Sequence, residues 1–193
     1  METIVQKVIS HMGKNSGGFT LHYLFLYNLI IGMEAKNVLE LGAGFSTPVI
    51  LGALEKTGGK LITCDQRSVA ETGNDPALKQ QYPSWKFLQG KTGETLAQIQ
   101  DEVFDVVLHD ASHDVFPVYQ DLRKIIPHVK QNGIILVHDT EHPAFRLRWA
   151  VRLAFLFTPH EKVTLPYGYG LTIVRILKDF GNGEVLLTWK KGS

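Results

Sequence analysis

The sequence predicts an α/β fold: a doubly wound, mostly parallel sheet of seven strands with helices on both faces and an antiparallel strand pair at the C-terminal end. Three observations carry this. Near-continuous apolar runs alternate with helix-length segments, the pattern of a parallel sheet covered on both sides. The first run, residues 37–41, breaks into Gly42-Ala43-Gly44 and passes directly into a helix-like stretch. Four of the runs end on groups suited to ligands: Gly42 with Gly44, Asp65, Asp110, and His138 with Asp139.

Residues 2–10 have helical spacing in Ile4, Val5, Val8 and Ile9 and form a leader that ends in a polar, glycine-rich patch. A second helix is expected over 20–32, with Leu21, Leu24, Phe25, Asn28 and Leu29 on one face; its aromatic residues read as core, with Tyr23 or Tyr27 able to line a pocket. The strand at 37–41 turns at its glycines into a helix over 48–56, which Gly58-Gly59 stops. The strand at 60–65 closes a βαβ unit. A polar stretch, 68–83, holds Pro76 and Pro83, and a third strand at 85–90 precedes a helix over 93–100. The fourth strand is 104–110, the next helix 118–129, and Asn132-Gly133 breaks the chain before a fifth strand at 134–139. One more helix, 143–157, precedes two strands, 162–165 and 171–177, short enough to pair antiparallel around Tyr167-Gly168-Tyr169-Gly170. The tail turns at 179–183 into a last apolar strand, 184–189.

A chain of 193 residues with 44% hydrophobic content fits one domain spanning 1–193, with 1–32 as a helical leader or cap. The 20 lysines and arginines nearly balance the 19 aspartates and glutamates, so no basic stripe for nucleic acid or an anionic membrane is expected; the partner is a small molecule. The single cysteine, Cys64, forms no internal disulfide and fits a reducing, cytoplasmic setting. The N-terminus lacks the features of a secretory signal, and the apolar run 19–31 is too short and interrupted to span a bilayer.

The chemistry is expected at the carboxyl ends of the strands, where open parallel sheets bind ligands. Glycines at 42 and 44 allow main-chain N–H groups to approach a nucleotide cofactor, and a crossover returns Asp65 to the same crevice, where its carboxylate can accept hydrogen bonds from ribose hydroxyls. Asp110 and Asp139 end neighbouring strands and can converge on one oxygen-preferring cation, which would settle their mutual repulsion. His113 lies one turn beyond Asp110, a base near neutral pH; it also reads as a loop residue, and His138 as a hydrogen-bonded strand-end histidine.

From about residue 37 to 176 the chain resembles class I S-adenosylmethionine-dependent methyltransferases, whose sheet is Rossmann-like. Within them it is similar to the metal-dependent small-molecule O-methyltransferases of antibiotic and macrolide-sugar biosynthesis. The resemblance rests on Glu40-Leu-Gly-Ala-Gly-Phe-Ser46, Asp65, Asp110 with His113, Asp121-Leu122, Gly133 through Thr140, and Tyr167-Gly-Tyr-Gly-Leu171. It implies that Glu40, Gly42, Ala43, Gly44, Ser46, Asp65, Gln66 and Asp110 cradle the cofactor, that Gly90 and Lys91 flank its adenine, and that Asp110 acts beside His113, the general base. It also implies a divalent metal, magnesium or another, on Asp110 and Asp139. Relatives commonly carry an acid where this chain has His138; as a ligand, this imidazole would favour zinc, iron, nickel or manganese over magnesium.

The implied reaction is displacement at the sulfonium methyl carbon by an oxygen of a small acceptor, with Tyr23, Tyr167 and Tyr169 on the acceptor side and a homo-oligomer left open. Two rivals stand beside it. A nicotinamide-dependent oxidoreductase shares the strand, Gly-x-Gly and distant acid, but Thr47 stands where its third glycine belongs. A non-catalytic cofactor-binding or scaffold module would keep the fold without the chemistry.

Overall fold

The computed structural model describes Gln6, residues 8–11 and residues 18–178. Seven strands form one sheet: β1 (Asn37–Leu41), β2 (Lys60–Asp65), β3 (Trp85–Gln89), β4 (Phe104–His109), β5 (Val129–His138), β6 (His160–Leu165) and β7 (Leu171–Ile176). Their spatial order is β3-β2-β1-β4-β5-β7-β6. The first five run parallel, while β7 is antiparallel to both β5 and β6.

The five principal helices are α1 (Tyr23–Gly32), α2 (Ser46–Thr57), α3 (Thr92–Leu96), α4 (Val115–Ile125) and α5 (Arg148–Ala154). Alternation along the strands divides the apolar core between two faces. Leu39 and Leu41 of β1 face a cluster with Leu122 and Ile125 of α4 and Ala150 and Val151 of α5. Val38 faces the other way, into a cluster with Leu26 and Ile30 of α1 and Val49, Ile50 and Leu54 of α2. Full burial of each such aliphatic side chain contributes about 1.5–3 kcal/mol, which explains why the central strands tolerate so few polar residues. At the amino end of the sheet, Asp105 Oδ2 accepts 2.8 Å hydrogen bonds from the N–H groups of both Lys36 and Asn37 and so fixes β1 beside β4.

Several expected boundaries move. The buried face of α1 is Tyr23, Leu26 and Ile30, whereas Leu21 and Asn28 are exposed; the helix is apolar nearly all round, so periodicity could not select its inner side. It is preceded by a 3-10 turn, Gly18–His22. The helix expected at 118–129 begins at Val115 and ends at Ile125, and Val129 already belongs to β5. Asn132-Gly133 does not stop that strand: Asn132 takes a φ of 65°, and the pairing with β4 shifts register there, so the strand bulges and continues. The helix expected at 143–157 is confined to Arg148–Ala154. Of the leader, residues 8–11 are helical, Val8 is buried, and the His11 ring stacks on Phe45 at 4.2 Å. The turn at 179–183 and the strand at 184–189 lie outside the described residues. Among the described residues, no helix is long and apolar enough to cross a membrane.

Candidate active site

The sheet order reverses direction between β1 and β4, and the crevice outside their carboxyl ends is where ligands of such sheets bind. Gly42 sits at that point with a φ of 87°, and a Cβ there would come within 2.2 Å of the Asp110 carbonyl oxygen. Its glycine is therefore required by the close passage of the β4 loop, a constraint the sequence could not display. At Gly44 an added Cβ would meet nothing within 4 Å, so this residue borders open space.

Glu40 is fully buried under the turn. Its carboxylate accepts hydrogen bonds from Ser46 Oγ (2.6 Å), Thr47 Oγ1 (2.8 Å) and Thr63 Oγ1 (2.9 Å), and Trp85 Nε1 donates to Thr63 Oγ1 in turn. Burial pushes its pKa up to about 7, although the three hydroxyls favour the anion. Glu40 and Ser46 thus brace the turn from beneath. Asn74 braces it from the side, donating to Gly44 O at 3.0 Å, and its amide is itself buried.

Asp65, at the end of β2, accepts from Ala43 N–H at 2.8 Å, which ties the second strand end to the glycine turn. Arg67 reaches the same carboxylate through its main-chain N–H, Nε and Nη2. Burial raises the Asp65 pKa, but the Arg67 and Ala43 donors outweigh it and hold the acid below its ordinary value. Gln66 is exposed; Gly90 N–H donates to Asp65 O at 2.9 Å, and Lys91, exposed, opens α3. The expected cofactor residues other than Asp110 therefore gather along one edge formed by β1, β2 and β3, with Asp110 following β4.

Across the crevice stand the ends of β4 and β5. Asp110, His113 and Asp139 offer ligand atoms that all lie within 4.8 Å of one another. His113 Nε2 lies 2.8 Å from Asp139 Oδ2, and its half-exposed ring tilts against Phe145 at 4.5 Å. Asp139 has a φ of 58°, which turns the chain sharply out of β5, and its buried Oδ1 makes no hydrogen bond, although the His138 ring nitrogen Nδ1 faces it at 3.3 Å. An oxygen of this kind, beside a second carboxylate and an imidazole, fits a divalent cation.

His138 is placed differently from the ligand role expected of it. It is buried, with Nδ1 3.0 Å from Asp110 Oδ1 and Nε2 2.8 Å from Gly168 O, so both ring nitrogens face protein acceptors. His138 Nδ1 also lies 3.3 Å from Asp139 Oδ1, while the histidine whose nitrogen groups with the two acids as a candidate ligand set is His113. His109 lies on the opposite side of β4 and pairs with Asp121 of α4 at 3.3 Å, anchoring the strand end from the other face.

The cap is built from both ends of the described chain. His22 Nε2 donates to Tyr167 O at 2.9 Å. Gly168 takes a φ of 54°, and a Cβ there would come within 2.3 Å of Gly18 O. Tyr23 is buried against Phe19 and Phe45, and burial pushes its pKa up to about 12; Tyr167 and Tyr169 are exposed, and Tyr169 meets His142 edge-on at 4.7 Å. Arg67, Asn74, His22 and Phe145 were not singled out from sequence. Arg67 alone left a signal, a cation two residues after the strand-end acid.

A glycine turn after β1, an acid after β2 and a seventh strand inserted antiparallel beside β5 define a Rossmann-like methyltransferase fold. The chain belongs to the methyltransferase domain family, whose model matches residues 39–140, more than half of its length. It is 29% identical over 113 residues to O-methyltransferase ankF of Aspergillus thermomutatus, a match covering 56% of this chain and 47% of that protein. The chain thus spans about half the length of the curated relative it matches. The fold is similar to that of an O-methyltransferase from Bacillus cereus in complex with SAH, with a TM-score of 0.67, 16% identity and 91% of each chain covered. It is also similar to the MycE methyltransferase of the mycinamycin biosynthetic pathway in complex with Mg, SAH and mycinamycin VI, with a TM-score of 0.60 and 17% identity over 89% of this chain and 52% of that one.

Proposed function

We propose that this chain is an S-adenosylmethionine-dependent O-methyltransferase acting on a hydroxyl of a small molecule. The observation that carries the reading is the meeting of two half-sites across the β1/β4 crevice: the braced glycine turn with Asp65 on one side, and Asp110, His113 and Asp139 on the other. The methyl donor, when bound, supplies an electrophilic carbon on a sulfonium. Gly44, Asp65 and Gly90 line its expected edge, with Gln66 and Lys91 at the rim. His113 takes the acceptor proton as oxygen attacks and the sulfur–methyl bond breaks; Asp139 orients its ring through the 2.8 Å contact. Phe145, His142 and Tyr169 wall the acceptor side.

A divalent metal would be held by Asp110, His113 and Asp139, where it would lower the acceptor hydroxyl's pKa and fix its place. In that state His113 would be a ligand rather than the base, the acidified acceptor hydroxyl would lose its proton to solvent, and His138 would hold Asp110 through its 3.0 Å contact. The relatives named above support this reading through O-methyl transfer, SAH and Mg in their descriptions.

Calorimetric titration of the full chain with S-adenosylhomocysteine should show binding and with NADH none; NADH binding alone would overturn the proposal. Methyl transfer to a panel of hydroxylated acceptors should fall by about 100-fold or more in Asp110→Asn and in His113→Gln. Binding of S-adenosylhomocysteine with no transfer to any acceptor, with or without added Mg or Mn, would favour the non-catalytic binding module.

A further inference from the structure

Asp65 is 8% exposed, and each of its carboxylate oxygens accepts two hydrogen bonds. Oδ1 accepts from Arg67 N–H at 2.8 Å and Arg67 Nε at 3.0 Å; Oδ2 accepts from Ala43 N–H at 2.8 Å and Arg67 Nη2 at 2.8 Å. A carboxylate has about four lone-pair positions, and protein donors take all of them. The two main-chain donors are fixed by the end of β2 and by the glycine turn. The guanidinium is not: its side chain is 53% exposed, and its further hydrogen bond is from Nη2 to Ala43 O at 2.9 Å.

We infer that Arg67 competes with the cofactor ribose for Asp65: its fork covers the two positions on the acid that a vicinal diol would take, and the ligand must displace it donor for donor. The inference rests on the reading of Asp65 as the ribose-holding acid. Two adjacent hydroxyls replace Nε and Nη2 with two O–H donors and leave the buried carboxylate satisfied. A ligand with one hydroxyl cannot, because the planar fork does not share the acid with it, and one buried acceptor position is left without a donor. Sites built around a hydroxyl reject analogues that lack it for this reason. The displaced guanidinium returns to water. The cost of parting is therefore that of a half-exposed ion pair, and salt reduces it.

The test is calorimetry on the full chain with S-adenosylhomocysteine and its 2′-deoxyribose analogue, in wild type, Arg67→Ala and Asp65→Asn. Arg67→Ala should bind S-adenosylhomocysteine about 3- to 10-fold more tightly, since no ion pair is broken on entry. Its discrimination against the 2′-deoxy analogue should stay that of wild type, because the guanidinium has left Asp65 in both complexes and the acid alone reads the second hydroxyl. Raising salt from about 50 mM to about 500 mM should tighten binding to wild type and leave Arg67→Ala unmoved. Weaker binding by Arg67→Ala would overturn the inference and make Arg67 a direct ligand contact; unchanged affinity would also overturn it, and altered discrimination would show that the guanidinium stays on the bound ligand rather than leaving. Asp65→Asn should weaken binding about 10-fold or more. If it binds as wild type does, Asp65 is not the ribose acid and that underlying reading fails, whatever Arg67→Ala does.

Discussion

His138 Nδ1 lies 3.0 Å from Asp110 Oδ1 while its Nε2 lies 2.8 Å from Gly168 O, so one buried ring joins the ends of β4 and β5 to the turn between β6 and β7. Burial lowers its pKa, but the hydrogen bond to Asp110 and the charges of Asp110 and Asp139 outweigh it, and the net shift is upward from 6.5. A histidine raised on folding stabilises fully below its unfolded pKa and loses that contribution as pH rises through the folded value. His138→Gln should therefore cost about 1.5–3 kcal/mol at pH 6, with the difference from wild type narrowing as the solution becomes alkaline. Urea denaturation across pH 6–9 measures it; a constant difference would contradict the ionised, doubly bonded ring.

Gly42 and Gly44 stand two positions apart with opposite demands. Gly42→Ala places a Cβ within 2.2 Å of Asp110 O at a φ of 87°, and should destabilise the fold by on the order of 3 kcal/mol or more. Gly44→Ala meets nothing within 4 Å and should leave the melting temperature unchanged while weakening S-adenosylhomocysteine binding. Calorimetric scanning paired with titration separates the two. A Gly44→Ala protein with full affinity would place the cofactor elsewhere.

Glu40 predicts a second pH dependence. Its folded pKa, pushed from 4.5 to about 7 chiefly by burial, means that the native state holds a proton the unfolded chain has already released. Its stabilisation is full below the unfolded value and is lost between pH 4.5 and about 7, by on the order of 3 kcal/mol. Glu40→Gln can keep hydrogen bonds to Ser46, Thr47 and Thr63, whose hydroxyls rotate, and should flatten that slope. Denaturation midpoints of both proteins at pH 5, 6 and 7 test it; parallel curves would assign the slope to another group.

The strand ends were legible because apolar runs stop abruptly at Gly42, Asp65, Asp110 and Asp139, and a parallel sheet gathers such ends at one edge. What stayed hidden depended on contacts made only by folding. Arg67 and Asn74 act on main-chain carbonyls of the glycine turn, which carry no sequence signature. The roles of His113 and His138 could not be apportioned either, since spacing does not say where a ring nitrogen points. Asn132-Gly133 read as a break because the same dipeptide that ends a helix also permits a bulge within β5.

The left-handed backbone at Asp139 makes one residue answer to two tests. Few side chains tolerate that conformation, with asparagine and aspartate prominent among those that do. Alanine or a β-branched residue there would disturb the exit from β5 before any chemistry was measured. Asparagine keeps the corner and removes only the charge, so the position can be silenced without being bent. An alanine scan would report a folding defect here, and only the amide would isolate what the carboxylate does.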